Sequence, residues 1–306
     1  MEKKETLSIV IPVYNTDINL LFRCLKSIPD DDRLSIIICD DCSNKYNIKY
    51  ELAKLFHDKS EISHLLNITK LHIEKKNIGL GAIRNKMIKL VKTNYIMFLD
   101  SDDEVVTDNV INALDIIENN NYNGNHTIDL LEFELLTICD GKSYNNSNNE
   151  FREVHNIIPY FTTPYLYNIK FLRKNELYYD ESRRVFEDIK FSVRLSKLIM
   201  CNECNIVSSI TPLYIYHLNG DSLTRTDSSK YMKLHDDLIY WIKWMKYYYK
   251  TLGESNRKIM KYPIFNRIRY ESIKAMSFKL KSQGIYDEYD KYLYNMKHYN
   301  LDKILE

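Results

Sequence analysis

Glycine and proline are scarce in this chain, at 7 and 6 of its 306 residues, which excludes collagen-like and low-complexity classes. No apolar run approaches the roughly 20 residues that a membrane-spanning helix requires. Residues 1–7 (MEKKETL) are charged and lack the apolar centre of a signal peptide. The six cysteines do not form a secreted-type disulfide framework, so the expected compartment is the cytosol, where thiols stay reduced. A net charge of +1 provides no global field to draw the protein onto nucleic acid. The charge is nevertheless uneven. Segment 225–306 is basic and the remainder acidic, which suggests that the two ends face different partners.

Against these absences stand 44% hydrophobic residues and 25 tyrosines. A chain of this length buries a sizeable core without disulfide or metal staples, as one large domain or one domain with a helical annex. LSIVIPV (7–13) and LSIIIC (34–39) are near-continuous apolar runs, as expected of strands covered on both faces. Helical spacing over 17–28, 48–57 and 81–91 alternates with these runs and with strands at 68–73 and 95–99. The β-α-β-α order implies a Rossmann-like sheet with right-handed crossovers. Beyond residue 103 the alternation decays. A helix is expected near 109–118, then a surface loop NNNYNGN (119–125), a strand over 128–139 and a polar loop over 143–149. Strands and short helices mix over 151–225, and the pattern is helical from 231 onward.

Open sheets of this kind bind ligands beyond the carboxyl ends of their strands, and the unusual polar residues fall there. Asp100, Asp102 and Asp103 follow the strand 95–99 directly. Carboxylates packed this closely repel unless a cation neutralises them, and hard oxygen ligands suit Mg²⁺ or Mn²⁺. A helix cap explains one such Asp, hardly three. Asp40 and Asp41 follow the second strand, where they can accept from a base or ribose; a turn sequence is the plain alternative. After the first strand, Tyr14 offers a ring for stacking and Asn15 both a donor and an acceptor. In NIGLGAIRN (77–85) the glycines admit close backbone approach, and the helix start with Arg84 favours an anionic diphosphate. This segment falls short of the dinucleotide and P-loop fingerprints. The pairs Cys39/Cys42 and Cys201/Cys204 have zinc-like spacing but lie far apart, and buried or bystander thiols are the preferred reading.

Taken together, VIPVYN (10–15), CDDCS (39–43), NIGLGAIRN (77–85) and FLDSDD (98–103) resemble the family 2 glycosyltransferases of GT-A fold. The resemblance covers roughly residues 5–225. It implies an α/β GT-A architecture, a Rossmann-like mixed sheet flanked by helices. The expected organisation is a catalytic domain over 1–225, with a nucleotide-sugar half at 1–103 and an acceptor half at 104–225, followed by a helical C-terminal extension at 226–306. It also implies that Pro12, Tyr14, Asn15, Asp40, Asp41, Arg84 and Asp100 bind the nucleotide sugar, Tyr14 and Asp40 at a base that is usually uracil. Asp102 is implied as the ligand of Mn²⁺ or Mg²⁺, with Asp100 near the ribose. Further along, YNIKFLRKNELYYDESRRVFEDIKF (167–191) resembles the acceptor-side segment that ends in a Glu-Asp pair, which implies Asp188 as general base with Glu187 beside it. Independently of the resemblance, a sugar hydroxyl needs a carboxylate within reach to take its proton. Paired acids at a helix start serve equally as dipole-favoured caps. YIYHLNGDSLTR (214–225) resembles the family's closing segment, which makes His217 a candidate third metal ligand and Ser222 and Arg225 diphosphate contacts.

The expected activity is inverting transfer of a sugar from a nucleotide, UDP above all, to a hydroxyl of a glycan or lipid-linked acceptor, in bacterial surface-polysaccharide synthesis. A metal-dependent nucleotidyltransferase would show a Gly-rich basic loop after the first strand, and VIPVYNTD has none. A non-catalytic nucleotide-sugar-binding module would not need both the Asp-x-Asp and Glu187-Asp188. The segment 231–251 places apolar and aromatic residues along one helical face, flanked by lysines. That face suits peripheral contact with an anionic membrane, or packing against the catalytic domain or another subunit in a homo-oligomer, and packing is the preferred reading.

Overall fold

The structure is a computed structural model and describes residues 5–122, 127–139, 142–145, 164–183 and 187–217. The expected extension 226–306, with its amphipathic segment, lies outside the described residues, as do Ser222 and Arg225.

The elements run β1 (Leu7–Val13), α1 (Ile18–Lys26), β2 (Leu34–Asp40), α2 (Ile48–Asp58), a 3₁₀ segment (Ser60–Ile68), β3 (Thr69–Ile73), α3 (Leu80–Leu90) and β4 (Tyr95–Phe98). They continue with β5 (Glu104–Val105), α4 (Thr107–Tyr122), β6 (Leu130–Cys139), β7 (Lys142–Asn145), β8 (Tyr165–Asn168), α5 (Ile169–Lys174), α6 (Ile189–Met200) and β9 (Ile206–His217). Among the described residues one mixed sheet runs β3-β2-β1-β4-β8-β6-β9-β5, with β7 added to β6. The first four strands pair in parallel. Antiparallel β8 then joins β4 to the second half.

The continuous apolar runs fold as strands because both faces of the sheet are covered. Leu7, Ile9, Ile11 and Val13 enter one core with Leu21 and Leu25 of α1 and Leu52 and Leu55 of α2. Val10, Ile37, Ile96 and Phe98 enter the opposite core with Ile83, Met87 and Ile88 of α3 and Phe191 and Leu195 of α6. This two-residue alternation is that of a pleated strand, with both sides apolar. Asp17 caps α1, accepting from the Asn19 N–H at 2.8 Å.

Three expectations need correction. Residues 143–145, read as part of a polar loop, join Lys142 in an edge strand that pairs with Leu136–Cys139, where alternate side chains need not be apolar. The helix expected near 109–118 continues to Tyr122 and takes in the start of the Asn-rich tract. The strand expected from 68 is preceded by a 3₁₀ segment that buries Ile62 and Leu65. Among the described residues, no helix is long and apolar enough to cross a membrane.

Candidate active site

The carboxyl ends of β1, β2 and β4 open on one side of the sheet, and the loops leaving them interlock. Asn15 adopts a positive φ of 54°, a conformation that Asn tolerates better than most residues. Its N–H donates to Ser43 Oγ at 2.8 Å, and its Oδ1 accepts from the N–H groups of Asn44 and Lys45 at 2.9 and 3.0 Å. Ser43 in turn donates from both N–H and Oγ to the Asp40 carboxylate. Asn15 and Asp40 thus shape the wall of the opening, and Tyr14, 49% exposed, stands at its mouth. Pro12, expected as a nucleotide contact, is instead buried within β1. It lies beyond the last residue that pairs with β4, where its missing N–H costs no ladder bond.

Asp41 also serves the frame. Its two carboxylate oxygens accept from the Ile78 and Gly79 N–H groups at 2.7 and 2.8 Å. Burial raises its pKa, against the pull of those two bonds. Gly79, at φ 90°, is the residue before α3, a backbone state that a side chain would strain. At the second residue of the helix, a Cβ on Gly81 would stand 2.9 Å from the Asp180 carbonyl oxygen and 3.1 Å from Glu187 Cβ. Asp180 and Glu187 therefore pack directly on the start of α3.

Arg84, on α3, is 5% exposed. Its Nη2 donates to Asp100 Oδ1 at 2.7 Å and its Nη1 to Glu187 Oε1 at 2.8 Å, while the guanidinium lies 5.3 Å from the centre of the Tyr179 ring. In this structure both terminal nitrogens of Arg84, the residue expected at a donor diphosphate, face buried or half-buried carboxylates. Asn85 completes the clasp. Its amide donates to the Tyr179 carbonyl at 3.0 Å and accepts from the Tyr179 N–H at 2.8 Å.

Glu187 is buried. Burial and the charge of Asp188 push its carboxyl up to about 7, with Arg84 opposing the rise. Asp188 occupies the N-cap position of α6, yet its side chain makes no capping hydrogen bond. The plain helix-cap reading of this acid therefore lacks its contact.

The strand-end acids divide their work. Asp100 faces Arg84. Asp103 is 1% exposed, accepting from the Tyr214 hydroxyl at 2.7 Å and from the His217 N–H at 2.8 Å. Burial and the Asp100 charge raise it to about 8. Tyr214 Oη also accepts from the Asp100 N–H at 3.1 Å. The His217 ring places Nε2 2.6 Å from Glu104 Oε1, so this nitrogen faces an acid of the structure itself. The main chain at Asp102 accepts a bond from Arg23.

A divalent cation fits this chemistry in one respect. Asp100, Asp102, Asp103 and Glu104 gather negative charge within five consecutive residues. Among the described residues, no three His, Cys, Asp or Glu side chains form a ready-made cage. Mg²⁺-type ions commonly take only one or two carboxylates and complete their shell with substrate phosphates and water. Asp102 with Asp100 matches that donor set. Neither cysteine pair contributes to a metal cluster among the described residues, and Cys39 is buried in β2.

Parallel strands ending in acids, extended by antiparallel β8 and flanked by helices on both faces, define a GT-A fold. Residues 8–128 match the family described as glycosyl transferase family 2. It is 26% identical over 252 residues to the glycosyltransferase GlyA of Streptococcus pneumoniae serotype 4, which spans 74% of this chain and 33% of that protein. It is 21% identical to the poly(ribitol-phosphate) beta-N-acetylglucosaminyltransferase TarS of Staphylococcus aureus, over 75% of this chain and 38% of TarS. The chain thus spans little more than a third of the length of these relatives. A solved structure of S. aureus TarS 1-349 in complex with UDP-GlcNAc superposes with a TM-score of 0.55 at 14% identity, covering 95% of this chain and 91% of that one. At that identity the likeness shows the fold alone.

Sequence reasoning missed three contributors. Asp103 with Tyr214 locks β9 to the strand-end loop, Asn85 clasps Tyr179, and Lys190 pairs with Asp180 at 2.8 Å. Asp103 was visible as one acid among several. Nothing local marks the others, because each bond joins residues far apart in the chain or ordinary in type.

Proposed function

We propose that the protein is an inverting glycosyltransferase, moving a sugar from a nucleotide donor of UDP type to a hydroxyl of a glycan or lipid-linked acceptor. The setting that fits is bacterial surface-polysaccharide synthesis. One observation carries the reading: Asp100, at the end of β4, and Glu187, before α6, meet on a single guanidinium. That contact sets the Glu187-Asp188 pair beside the strand-end acids rather than across the molecule. The relatives support the donor and product class, since TarS has been solved with UDP-GlcNAc and with UDP and is named as a poly(ribitol-phosphate) transferase.

In this reading the exposed Tyr14 ring stacks on the base, and the Asp40–Ser43 turn reads its polar edge. Asp100 lies toward the ribose. Asp102 with Asp100 would hold Mn²⁺ or Mg²⁺, and His217 would add a third ligand only if its ring turned from Glu104. When bound, such a cation neutralises the charge gathering on a departing diphosphate. Ser222 and Arg225 are assigned to the same diphosphate by resemblance alone.

Asp188 takes the proton of the acceptor hydroxyl. The acceptor oxygen bonds to the anomeric carbon as the bond to the nucleoside diphosphate breaks, and the electron pair of that bond leaves with the diphosphate. Glu187 is turned to Arg84 and buried, so it is poorly placed as a second, nucleophilic carboxylate. One base and one displacement give inversion.

The experiment is a screen of UDP-, GDP- and dTDP-sugars with Mn²⁺, read by donor hydrolysis and thermal stabilisation, followed by Asp188→Asn with the best donor. Transfer should fall by roughly 10²- to 10⁴-fold, the usual worth of a general base, while nucleotide affinity stays near that of the unaltered protein. An Asp188→Asn protein that transfers at the original rate rules out the assignment.

A further inference from the structure

The sequence reading treats NIGLGAIRN as a cradle for the donor phosphates. The structure turns most of that segment the other way. Gly81 faces the Asp180 carbonyl and Glu187 Cβ, Arg84 bonds to Glu187, and Asn85 bonds to both main-chain groups of Tyr179. Three positions within five residues of α3 thus grip Tyr179, Asp180 and Glu187 on the acceptor side. The strand-end acid Asp100 is held from the same helix.

We infer that Arg84 is a positioning residue, which sets the Glu187-Asp188 pair in place against Asp100 so that donor and acceptor halves share one registered geometry. This inference rests on the reading of Asp188 as the base. The physical case begins with the fork of the guanidinium. Its two terminal nitrogens each satisfy a different carboxylate, at 2.7 and 2.8 Å, and a planar fork fixes direction as well as distance. The Tyr179 ring beside the guanidinium narrows its freedom further. Its Nε is buried and has no hydrogen-bonding partner among the described residues. The cation is therefore kept there by its two acids rather than by full solvation of its own donors. Around Glu187 the charge of Arg84 favours its ionised form, and the charges of Asp188 and Asp100 oppose it. Removing Arg84 leaves like charges facing one another with nothing to hold their separation.

Such a residue touches neither the donor nor the acceptor, and its loss should appear in turnover rather than in donor affinity. The discriminating variant is Arg84→Lys, which retains the charge but not the fork. With the full chain and a donor accepted by the unaltered protein, kcat should fall by about 10- to 100-fold, since displacement of about 1 Å costs that much. The Kd for UDP and the donor KM should change much less than kcat, since Asp100 loses one contact with Arg84 but keeps its place after β4 and its main-chain bond to Tyr214. Circular dichroism and thermal melting confirm that the variant is folded.

Arg84→Met carries a second measurement, because it is the variant more apt to lose its fold. Its loss of melting temperature should be much smaller when combined with Glu187→Gln, as expected of two groups that interact directly. Two results overturn the inference. One is an Arg84→Lys protein whose UDP affinity drops about 10-fold or more while kcat is kept, which would return Arg84 to the diphosphate. The other is additive behaviour of Arg84→Met and Glu187→Gln with kcat of Arg84→Lys unchanged. Failure of the parent reading looks different. It appears as undiminished transfer in Asp188→Asn, whereas the melting measurements on Arg84 and Glu187 need no substrate.

Discussion

Gly81 shows how much of this site depends on what a side chain omits. Its φ is ordinary, and the helix would accept alanine readily on propensity grounds. The constraint is across the gap, where a Cβ would lie 2.9 Å from a main-chain oxygen and 3.1 Å from Glu187 Cβ. Main chain cannot swing aside as a flexible side chain does, so Gly81→Ala should push segment 180–187 outward. Overpacking of this kind costs about 1–3 kcal/mol, partly offset by the gain in helix propensity. The expected outcome is a modestly lower melting temperature with a larger loss of kcat, because the displaced residue neighbours Asp188. Equal kcat for Gly81→Ala and the unaltered protein would show that the close approach has no catalytic consequence. The conformational demand sits two residues earlier, at Gly79, where φ is 90° and Asp41 accepts from the Ile78 and Gly79 N–H groups. Two glycines in one short motif thus answer two unrelated needs.

At the scale of elements, β9 is fastened to the strand-end loop through polar contacts rather than through apolar packing alone. Tyr214, fully buried, gives its hydroxyl hydrogen to Asp103 and takes one from the Asp100 N–H. Tyr214→Phe keeps the ring and deletes both bonds, leaving a buried carboxyl and a main-chain N–H each short of a partner. Such orphaned groups cost about 1–3 kcal/mol, so the variant should melt several degrees lower. A melting temperature within a degree of the original would mean that water takes the place of the hydroxyl.

How far these elements were legible follows from the same physics. Strands β1, β2 and β4 were readable because burial on both faces writes a continuous apolar run into them. The short β7 was unreadable: its residues are polar, and only pairing with Leu136–Cys139 makes them a strand. Among site residues, the strand-end acids announced themselves by density. Arg84 was noticed for its charge and its place at a helix start, yet its partner Glu187 lies in a segment that only the tertiary fold brings near. Local pattern records the backbone state of a residue and the side of an element it occupies. It does not record which distant group will face it.

Across the whole molecule, the buried acids set a pH dependence whose sign can be worked out from two of them. Glu187 is raised from an ordinary 4.5 to about 7. Between those values the folded protein keeps a proton that the unfolded chain has released, so stability falls as pH rises through this window and levels off above it. Asp180 behaves oppositely. Burial would raise it, but its bonds to Lys190 and Ser182 prevail and hold it at about 2. Its contribution is therefore present above the unfolded value near 3.8 and is lost as pH falls toward 2. Together the two groups favour mildly acidic pH, with stability declining toward neutrality as Glu187 ionises and toward strong acid as Asp180 is protonated. Glu187→Gln removes one titrating group while keeping an oxygen for Arg84. Chemical denaturation of both proteins at pH 4.5 and 7.5 should show both losing stability, since burial also raises Asp103, and the variant losing less by the share of Glu187. Parallel losses in the two would mean that the proton is held elsewhere in the acid cluster, and that Glu187 is already ionised beside Arg84.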